Sequence, residues 1–216
     1  MFITFEGIDG SGKSTQAGML ADRLERTGRE VHLFREPGGT ALAERVRTIL
    51  LDPTLDVEPL AELLLFSSAR AQLVEEGIRP ALERGATVVC DRFYDSTTAY
   101  QGGGRAVAGL EWLHAFNRTV TGGLIPDRTY LVSISPELAV ERRSGRGDAR
   151  EADTQERLDR MERSDTAFYG RVAAAYEDLA MAEPHRIVRL DGRLGIDELH
   201  DIVWSDVQEL RVRRRG

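Results

Sequence analysis

Lysine is almost absent from this chain. Of its 29 lysine and arginine residues, one is lysine (Lys13), which leaves 28 arginines, and 36 aspartates and glutamates bring the formal net charge to −7. A net negative charge disfavours duplex DNA and anionic membrane surfaces as main partners. We therefore expect no nucleic acid and no membrane among the partners, and any positively charged site has to be local.

Cysteine and long apolar runs are also scarce. The one cysteine, Cys90, excludes an internal disulfide, and within the apolar run TVVCD we expect it to be a small buried residue. No apolar run approaches the roughly 20 residues that a membrane-spanning helix needs. The opening MFITFEG lacks the basic region of a signal peptide and predicts a first strand. These absences predict a cytoplasmic protein.

The sequence does contain a regular alternation of strand-like and helix-like segments. Its 216 residues are enough for one sizeable domain, and no repeat or linker divides them, so we predict a single domain over 1–216. The alternation predicts an α/β fold of three layers, a mostly parallel five-stranded sheet with helices on both faces. The predicted strands are 2–6, 31–35, 87–91, 128–134 and 185–190, and the predicted helices are 13–27, 41–51, 58–84, 109–121, 154–181 and 195–212.

Residues 7–14 read GIDGSGKS and match the phosphate-loop (P-loop) pattern G-x-x-x-x-G-K-S between a strand and a helix. Backbone N–H groups at a helix N-terminus bind phosphate. The pattern predicts that Lys13 bridges the β- and γ-phosphates of ATP and that Ser14 binds Mg²⁺. A compact ammonium fits a closed loop of backbone donors better than a wide guanidinium, which accounts for a lysine here. The predicted ATP-binding residues are Gly7, Ile8, Asp9, Gly10, Ser11, Gly12, Lys13, Ser14 and Thr15.

The predicted strand 87–91 ends in an acid followed by an arginine. Asp91 stands where P-loop folds place a carboxylate linked to Mg²⁺, and the forked guanidinium of Arg92 suits a phosphate. A GTPase needs an N-K-x-D segment, but the one asparagine, Asn117, is followed by Arg118. Large ATPase modules usually add a second acid after the first, and this chain does not. A kinase of small phosphorylated molecules is the interpretation that remains.

Five segments in order and spacing resemble bacterial thymidylate kinases. They are FEGIDGSGKST (5–15), FREPGGT (34–40), LLFSSARAQ (64–72), DRFYDSTTAYQGGGR (91–105) and IPD (125–127), and together they span almost the whole chain. The resemblance implies a P-loop NTPase fold and transfer of the γ-phosphoryl group of ATP to dTMP, forming dTDP and ADP, in dTTP biosynthesis. It also implies Mg²⁺ as cofactor, ATP and dTMP as small-molecule substrates, and a homodimer.

The resemblance further implies an acceptor site. Phe66 would stack on thymine, and Arg70, one turn later on the same predicted helix, would donate hydrogen bonds to the base. Arg92 would clamp the dTMP phosphate, with Arg35 nearby, and Asp9 would contact the sugar and the metal region. The other acceptor residues implied are Glu36, Pro37, Ser96, Thr97, Tyr100 and Gln101, and the metal residues are Ser14, Asp9 and Asp91. Ala69 replaces a serine of some relatives, so one base contact is expected to be missing or water-mediated.

The catalytic arginine is expected in the lid. In the resembling family this arginine comes from the P-loop or from the lid, and position 10 here is glycine. A polar, arginine-rich segment at about 142–153 is predicted to form the lid. With Lys13, Asp91 and Arg92, the catalytic candidates are Arg142, Arg143, Arg146 and Arg150.

Two alternatives stay open on the sequence. One is a kinase for another nucleoside monophosphate or for a deoxynucleoside, although adenylate-type enzymes usually carry glycine where this chain has Ser14. The other is a nucleotide-binding switch or regulatory ATPase without small-molecule turnover. The set of acceptor-side residues between Phe66 and Gln101 argues against the second.

Overall fold

The computed structural model describes residues 1–144 and 166–213, and within them five strands form one parallel sheet. The strands are β1 (Phe2–Glu6), β2 (Val31–Arg35), β3 (Thr87–Asp91), β4 (Arg128–Ser133) and β5 (Ile187–Asp191). Their order across the sheet is β2-β3-β1-β4-β5, and all four pairings are parallel. The predicted strands and the predicted parallel α/β fold are confirmed, with shifts of one or two residues at β4 and β5.

The helices occupy the connections between the strands. They are α1 (Lys13–Glu25), α2 (Ala41–Leu51), α3 (Pro59–Leu73), α4 (Arg79–Glu83), α5 (Tyr94–Thr97), α6 (Leu110–Val120), α7 (Pro136–Ser144), α8 (Thr166–Ala182) and α9 (Ile196–Arg213). A π-helical turn, Val74–Ile78, joins α3 to α4, and a second one, Thr98–Gly104, follows α5. The start of α2 is capped by the Thr40 side chain, whose Oγ1 accepts a hydrogen bond from Ala43 N at 3.1 Å.

Three helical segments differ from the sequence prediction, and residues 154–165 of the predicted helix 154–181 lie outside the described residues. The helix over 58–84 is continuous but contains the π-helical turn Val74–Ile78, and no helix was expected over 94–104 or 136–144. Three consecutive glycines argue against a helix near 104, yet the structure uses them for close packing on α8. A Cβ on Gly103 would overlap the Cβ of Ala175, and one on Gly104 would lie 2.5 Å from the Phe168 ring. The helical conformation of this segment therefore depends on its packing against α8, which the periodicity of the sequence cannot predict.

Alternating strand residues pack on both faces of the sheet and produce three layers. Ile3 and Phe5 of β1 pack with α1 and α9 on one face. Phe2 of the same strand packs with the helical run from α3 to α4 on the other face. The residues of α8 build a further cluster with the turn Thr98–Gly104. The predicted helices on both faces are confirmed.

The central position of β1 determines where a ligand binds. The chain runs from β1 outward to β2 on one side, while β4 and β5 lie on the other, so the strand order reverses next to β1. Ligands of open α/β sheets bind at this reversal, beyond the carboxyl ends of the strands. The P-loop follows β1 there. Among the described residues, no helix is both long and apolar enough to cross a lipid bilayer.

Candidate active site

The P-loop, residues 7–14, lies against α7. Gly10 has φ of +91°, and a Cβ built on it would lie 2.8 Å from the carbonyl oxygen of Ala139 in α7. A side chain at position 10 is therefore excluded by the backbone of α7 as well as by the left-handed conformation. The direct contact between the P-loop and α7 thus explains why position 10 is a glycine.

Lys13 begins α1 and is almost completely buried, with 6 % of its surface exposed. Its Nζ lies 3.3 Å from Oδ1 of Asp9, one turn earlier. Burial, and next the positive charge of Arg92, lower the pKa of Lys13, while Asp9 acts in the opposite direction. The ammonium is therefore held beside Asp9 within the P-loop segment.

Asp9 lies between Lys13 and Arg92. The Arg92 guanidinium donates to Asp9 Oδ1 at 2.6 Å, and the Tyr100 hydroxyl donates to Oδ2 at 3.3 Å. Burial alone would oppose ionisation, but Arg92 and Lys13 outweigh it and hold the pKa of the Asp9 carboxyl well below its usual range. Asp9 is therefore a carboxylate that balances two cations.

Arg92 follows the end of β3 with φ of +75°, which is rare for a residue with a side chain. This conformation, together with the bond from its own N–H to Phe5 O at 2.9 Å, turns the side chain toward the P-loop. Besides Asp9, its guanidinium donates to the hydroxyls of Tyr100 at 3.1 Å, Ser96 at 3.1 Å and Tyr176 at 3.3 Å. Strained residues of this kind concentrate at functional sites.

Arg70, on α3, is 1 % exposed and forms a buried ion pair with Glu36. Its Nε donates to Glu36 Oε2 at 2.7 Å, and its other nitrogens donate to Thr97 Oγ1 at 2.6 Å and Phe93 O at 3.2 Å. A second guanidinium nitrogen lies 2.6 Å from the same Glu36 oxygen, so four of the five N–H groups face protein acceptors and one remains for a ligand. Burial raises the pKa of Glu36, and Arg70 opposes that rise.

The π-helical turn Thr98–Gly104 carries Tyr100 and Gln101. Gln101 Nε2 donates to Oε1 of the buried Glu62 at 2.9 Å, and Arg105 donates to the same carboxylate at 3.3 Å. Burial raises the pKa of Tyr100, so its hydroxyl keeps its proton and remains a donor. The turn is thereby held at two points, through Gln101 to Glu62 and through Tyr100 to Asp9 and Arg92.

These residues line one cleft of about 570 Å³. Its lining combines the half-buried Phe66 of α3 with Lys13 and Ser14 of the P-loop segment. The lining residues are Asp9, Gly10, Gly12, Lys13, Ser14, Thr15, Glu36, Pro37, Arg47, Leu51, Phe66, Arg70, Arg92, Ser96, Thr97, Tyr100, Gln101 and Arg143. Residues predicted from separate motifs thus line the same cleft.

Several predicted or noted residues lie outside that lining. Gly7, Ile8 and Ser11 of the P-loop are buried, and Ser11 lines a separate, smaller cleft. Arg35 is 53 % exposed and its guanidinium pairs with Glu44 at 3.1 Å. Asp91 closes β3 beneath the cleft, its charge acts on Lys13, and its Oδ1 is buried without a hydrogen-bond partner. Ala69 is 1 % exposed and packs in the interior.

The two described arginines of the predicted lid, Arg142 and Arg143, contact different sides of the P-loop. Arg143 lines the main cleft, lies 4.7 Å over the Tyr169 ring and donates to Asp9 O at 3.5 Å. Arg142 instead donates to Ser11 O at 3.3 Å and Gly192 O at 2.8 Å, on the outer side of the P-loop. Arg146 and Arg150, and most of the predicted lid, lie outside the described residues.

Sequence reasoning missed several residues of the site. Arg47 lines the cleft and donates to Pro37 O at 3.0 Å. Its signal was an arginine one turn after buried Ala43 and one turn before Leu51, on the inward face of α2. Glu6 and Tyr176 are hydrogen-bonded to the Ser96 hydroxyl. Glu6 had a signal too, because a carboxylate ends an otherwise apolar, buried strand.

Comparisons with known proteins agree over nearly the whole length. A sequence model of the thymidylate kinase family matches residues 5–203. The chain is 49% identical over 209 residues to the thymidylate kinase of Chlorobium luteolum and 47% identical over 209 residues to that of Deinococcus radiodurans, in each case covering 97% of both chains. The crystal structure of thymidylate kinase from Ehrlichia chaffeensis superposes with a TM-score of 0.75 at 34% identity, over 96% of this chain and 98% of that one. The chain therefore belongs to the thymidylate kinase family.

Proposed function

We propose that this chain transfers the γ-phosphoryl group of ATP to dTMP, forming dTDP and ADP, as a step of dTTP biosynthesis. The observation that carries the proposal is the single cleft in which the P-loop faces Phe66, Arg70 and Arg92. Phosphoryl transfer requires two phosphates held in line and the charge on the moving group balanced, with little covalent chemistry by the protein. The P-loop is suited to hold one phosphate and Arg92 the other, and the positive charges of Lys13 and Arg92 offset the charge of the moving group.

On the acceptor side, Arg92 binds the dTMP phosphate together with Arg47 instead of Arg35. Arg47 lines the cleft, whereas Arg35 points to Glu44. Phe66 stacks on the thymine ring, and the N–H group of Arg70 that lacks a protein partner donates to a base carbonyl. Tyr100 and Gln101 flank the sugar and base. Glu36, Pro37, Ser96 and Thr97 complete the pocket.

On the donor side, the backbone of the P-loop and Lys13 bind the ATP phosphates. A second cleft, of about 280 Å³, lies on the outer side of the loop and is lined in part by Gln16, Arg142 and Gly192. The Arg142 guanidinium is planar and can stack on an aromatic ring. We place the adenine of ATP in this second cleft.

Mg²⁺ is proposed at the junction of the two sides. This ion keeps waters and binds substrate phosphates with one or two protein ligands. Ser14 lies in the cleft, and the buried Oδ1 of Asp91 lacks a partner, so these residues fit the ion. Asp9 joins them only if its pairing with Lys13 and Arg92 changes. When bound, Mg²⁺ would neutralise charge on the β- and γ-phosphates.

The remaining positive charge at the transferred group comes from the lid. Arg143 is the described lid arginine that lines the main cleft, and it lies next to Asp9 and Tyr169. We assign it the role of arginine finger, with Arg146 and Arg150 as further candidates. No strong general base is needed, since the acceptor is already a phosphate oxygen.

We also propose that the enzyme is a cytoplasmic homodimer. Leu60 and Leu64, one turn apart on α3, are 53% and 50% exposed, and Ile49 on the neighbouring α2 is 44% exposed. Apolar side chains grouped on one surface mark a contact between proteins. Sedimentation of wild type and Leu64→Glu tests this, because a dimer through α3 should dissociate in the variant, and an unchanged sedimentation coefficient would contradict it.

ADP release measured against a panel of acceptors tests the main proposal. The panel contains dTMP, dUMP, dCMP, dAMP, dGMP, thymidine and no acceptor. The proposal predicts the highest kcat/KM with dTMP and the appearance of dTDP. Faster turnover with thymidine or another monophosphate would favour the alternative kinases, and acceptor-independent ADP release would favour an ATPase.

A further inference from the structure

Three buried oxygen atoms form a closed triangle behind Arg92. Glu6 Oε2 lies 2.6 Å from Ser96 Oγ and 2.8 Å from the Tyr176 hydroxyl, and the two hydroxyl oxygens lie 2.8 Å from each other. Glu6, Ser96 and Tyr176 are 1%, 9% and 3% exposed. Each pair of oxygens is therefore within hydrogen-bond distance. The triangle is also shielded from bulk solvent.

The triangle contains too few hydroxyl protons for its three contacts. Serine and tyrosine hydroxyls donate one proton each. Arg92 donates to both oxygens from outside, at 3.1 Å and 3.3 Å, so it supplies nothing between them. With Glu6 ionised, one of the three contacts would bring two oxygens together without a proton. A proton on Glu6 Oε2 completes the triangle.

The surroundings of Glu6 agree with this count. Burial, and next the charge of Asp95, raise the pKa of Glu6 to about 7, while Arg92 and the bonds from Ser96 and Phe93 N act in the opposite direction. The titratable or charged groups around Glu6 are Asp95, Arg92 and Tyr94 after β3, Cys90 on β3, and Tyr176 on α8. Asp95 is itself held by Arg186, at 2.7 Å and 2.9 Å.

We propose that Glu6 is a positioning residue for the acceptor phosphate and acts as a neutral acid. It orders the hydroxyls of Ser96 and Tyr176 so that both accept from Arg92, and it adds no negative charge behind the guanidinium. This inference rests on the proposed role of Arg92 as the clamp for the dTMP phosphate. When Glu6 loses its proton, its charge competes with the phosphate for Arg92, so dTMP binding weakens.

Glu6→Gln tests the proposal, because glutamine has the shape of the protonated acid and cannot ionise. The KM for dTMP is measured in wild type and variant between about pH 6 and about pH 9, which brackets the transition. The dTMP phosphate titrates equally in both enzymes and cancels in the ratio. We expect similar KM values near pH 6 and a wild-type KM that rises about tenfold relative to the variant near pH 9. A Glu6→Gln variant that already binds dTMP more than about tenfold more weakly near pH 6 would overturn the proposal.

A second readout does not depend on activity. The infrared difference spectrum of wild type minus Glu6→Gln should contain the C=O band of a protonated carboxylic acid near pH 6 and lose it near pH 9; absence of the band near pH 6 would refute the neutral acid. Tyr130→Phe is the matched control, since Tyr130 is a buried tyrosine hydrogen-bonded to Asp206 in the α9 layer, and its KM should follow pH as in wild type. An unchanged dTMP KM in Arg92→Lys would overturn the positioning role even if the enzyme phosphorylates dTMP, which separates this failure from failure of the proposed activity.

Discussion

Asp9 and Arg92 are 83 positions apart in the chain, yet Oδ1 of Asp9 lies 2.6 Å from the Arg92 guanidinium. Asp9 belongs to the P-loop, the proposed donor side, and Arg92 is the proposed clamp for the acceptor phosphate. The pair therefore joins the two halves of the cleft through one carboxylate that also contacts Lys13. Because these charges are coupled, a substitution at any of the three should alter the binding of both nucleotides.

Lys13→Arg should lower kcat by about 10²-fold or more, although the positive charge is retained. Lys13 is buried and its Nζ pairs with Asp9 at 3.3 Å, so a wider, planar guanidinium should not take the same position. Steady-state turnover of the folded variant measures this. The control is the reverse exchange at an exposed site, Arg26→Lys, which should leave kcat unchanged. A Lys13→Arg enzyme with wild-type kcat would contradict the geometric explanation for the lone lysine.

Arg143→Ala should reduce kcat by about 10³-fold with little change in the KM for dTMP, as expected for an arginine finger. Arg142→Ala is its matched neighbour and should raise the KM for ATP instead, because Arg142 lines the second cleft. Arg146→Ala and Arg150→Ala complete the series. If all four variants keep the wild-type kcat, the lid has no part in the chemistry.

Arg47→Ala should raise the KM for dTMP roughly tenfold to a hundredfold, since a hydrogen bond to a charged group contributes about 1.5–3 kcal/mol. Arg35→Ala should have little effect, because Arg35 is exposed and pairs with Glu44. The two variants are compared at saturating ATP. A larger effect from Arg35 than from Arg47 would restore the assignment made from the sequence.

Arg70→Ala should reduce the preference for dTMP over dCMP by tenfold or more. Arg70 only donates hydrogen bonds, so it suits the thymine O4, whereas cytosine presents an amino group there, and an unpaired buried polar group costs about 1–3 kcal/mol. Phe66→Ala should weaken both substrates similarly, because stacking tolerates either base.

The measurement for Arg70→Ala is the ratio of the two kcat/KM values. Removing Arg70 leaves Glu36 buried without its cation, which should cost about 3–5 kcal/mol of stability. The ratio is independent of how much of the variant is folded. A wild-type ratio would mean that Arg70 stabilises the wall without reading the base.

Glu6 should make the protein less stable as pH rises. Its pKa is about 7 in the folded protein against an ordinary value of 4.5, so between these values the folded state binds more protons than the unfolded state. The free energy of unfolding then falls as pH rises, by about 3 kcal/mol for this group over the whole interval. Urea unfolding at about pH 5 and about pH 8 should show that Glu6→Gln lacks this fall. Parallel pH profiles for wild type and variant would contradict it, and Tyr130→Phe serves as the structural control.

The parallel sheet and the P-loop could be predicted because they depend on local patterns. Apolar runs such as 2–6 and 87–91 each form a strand, and GIDGSGKS leads into α1 as its motif requires. The family resemblance, and no local pattern, predicted that residues of distant motifs such as Phe66, Arg70 and Tyr100 share one site.

What escaped prediction depends on packing between elements. Nothing local distinguishes Arg35 from Arg47, and only the orientation of α2 toward the cleft decides between them. The helical conformation of 98–104 likewise depends on α8, which contacts its glycines. The protonation of Glu6 follows from Ser96 and Tyr176, which are 90 and 170 positions away in sequence.

The contact between Gly10 and Ala139 has a consequence for how such enzymes evolve. An arginine introduced at position 10 alone would collide with the backbone of α7 and adopt a disfavoured backbone conformation. With the proposed role of Arg143, a change that moved the catalytic cation from the lid to the P-loop could not start with that substitution. The α7 backbone would have to shift first, so the effect of a substitution at Gly10 should depend on substitutions in α7.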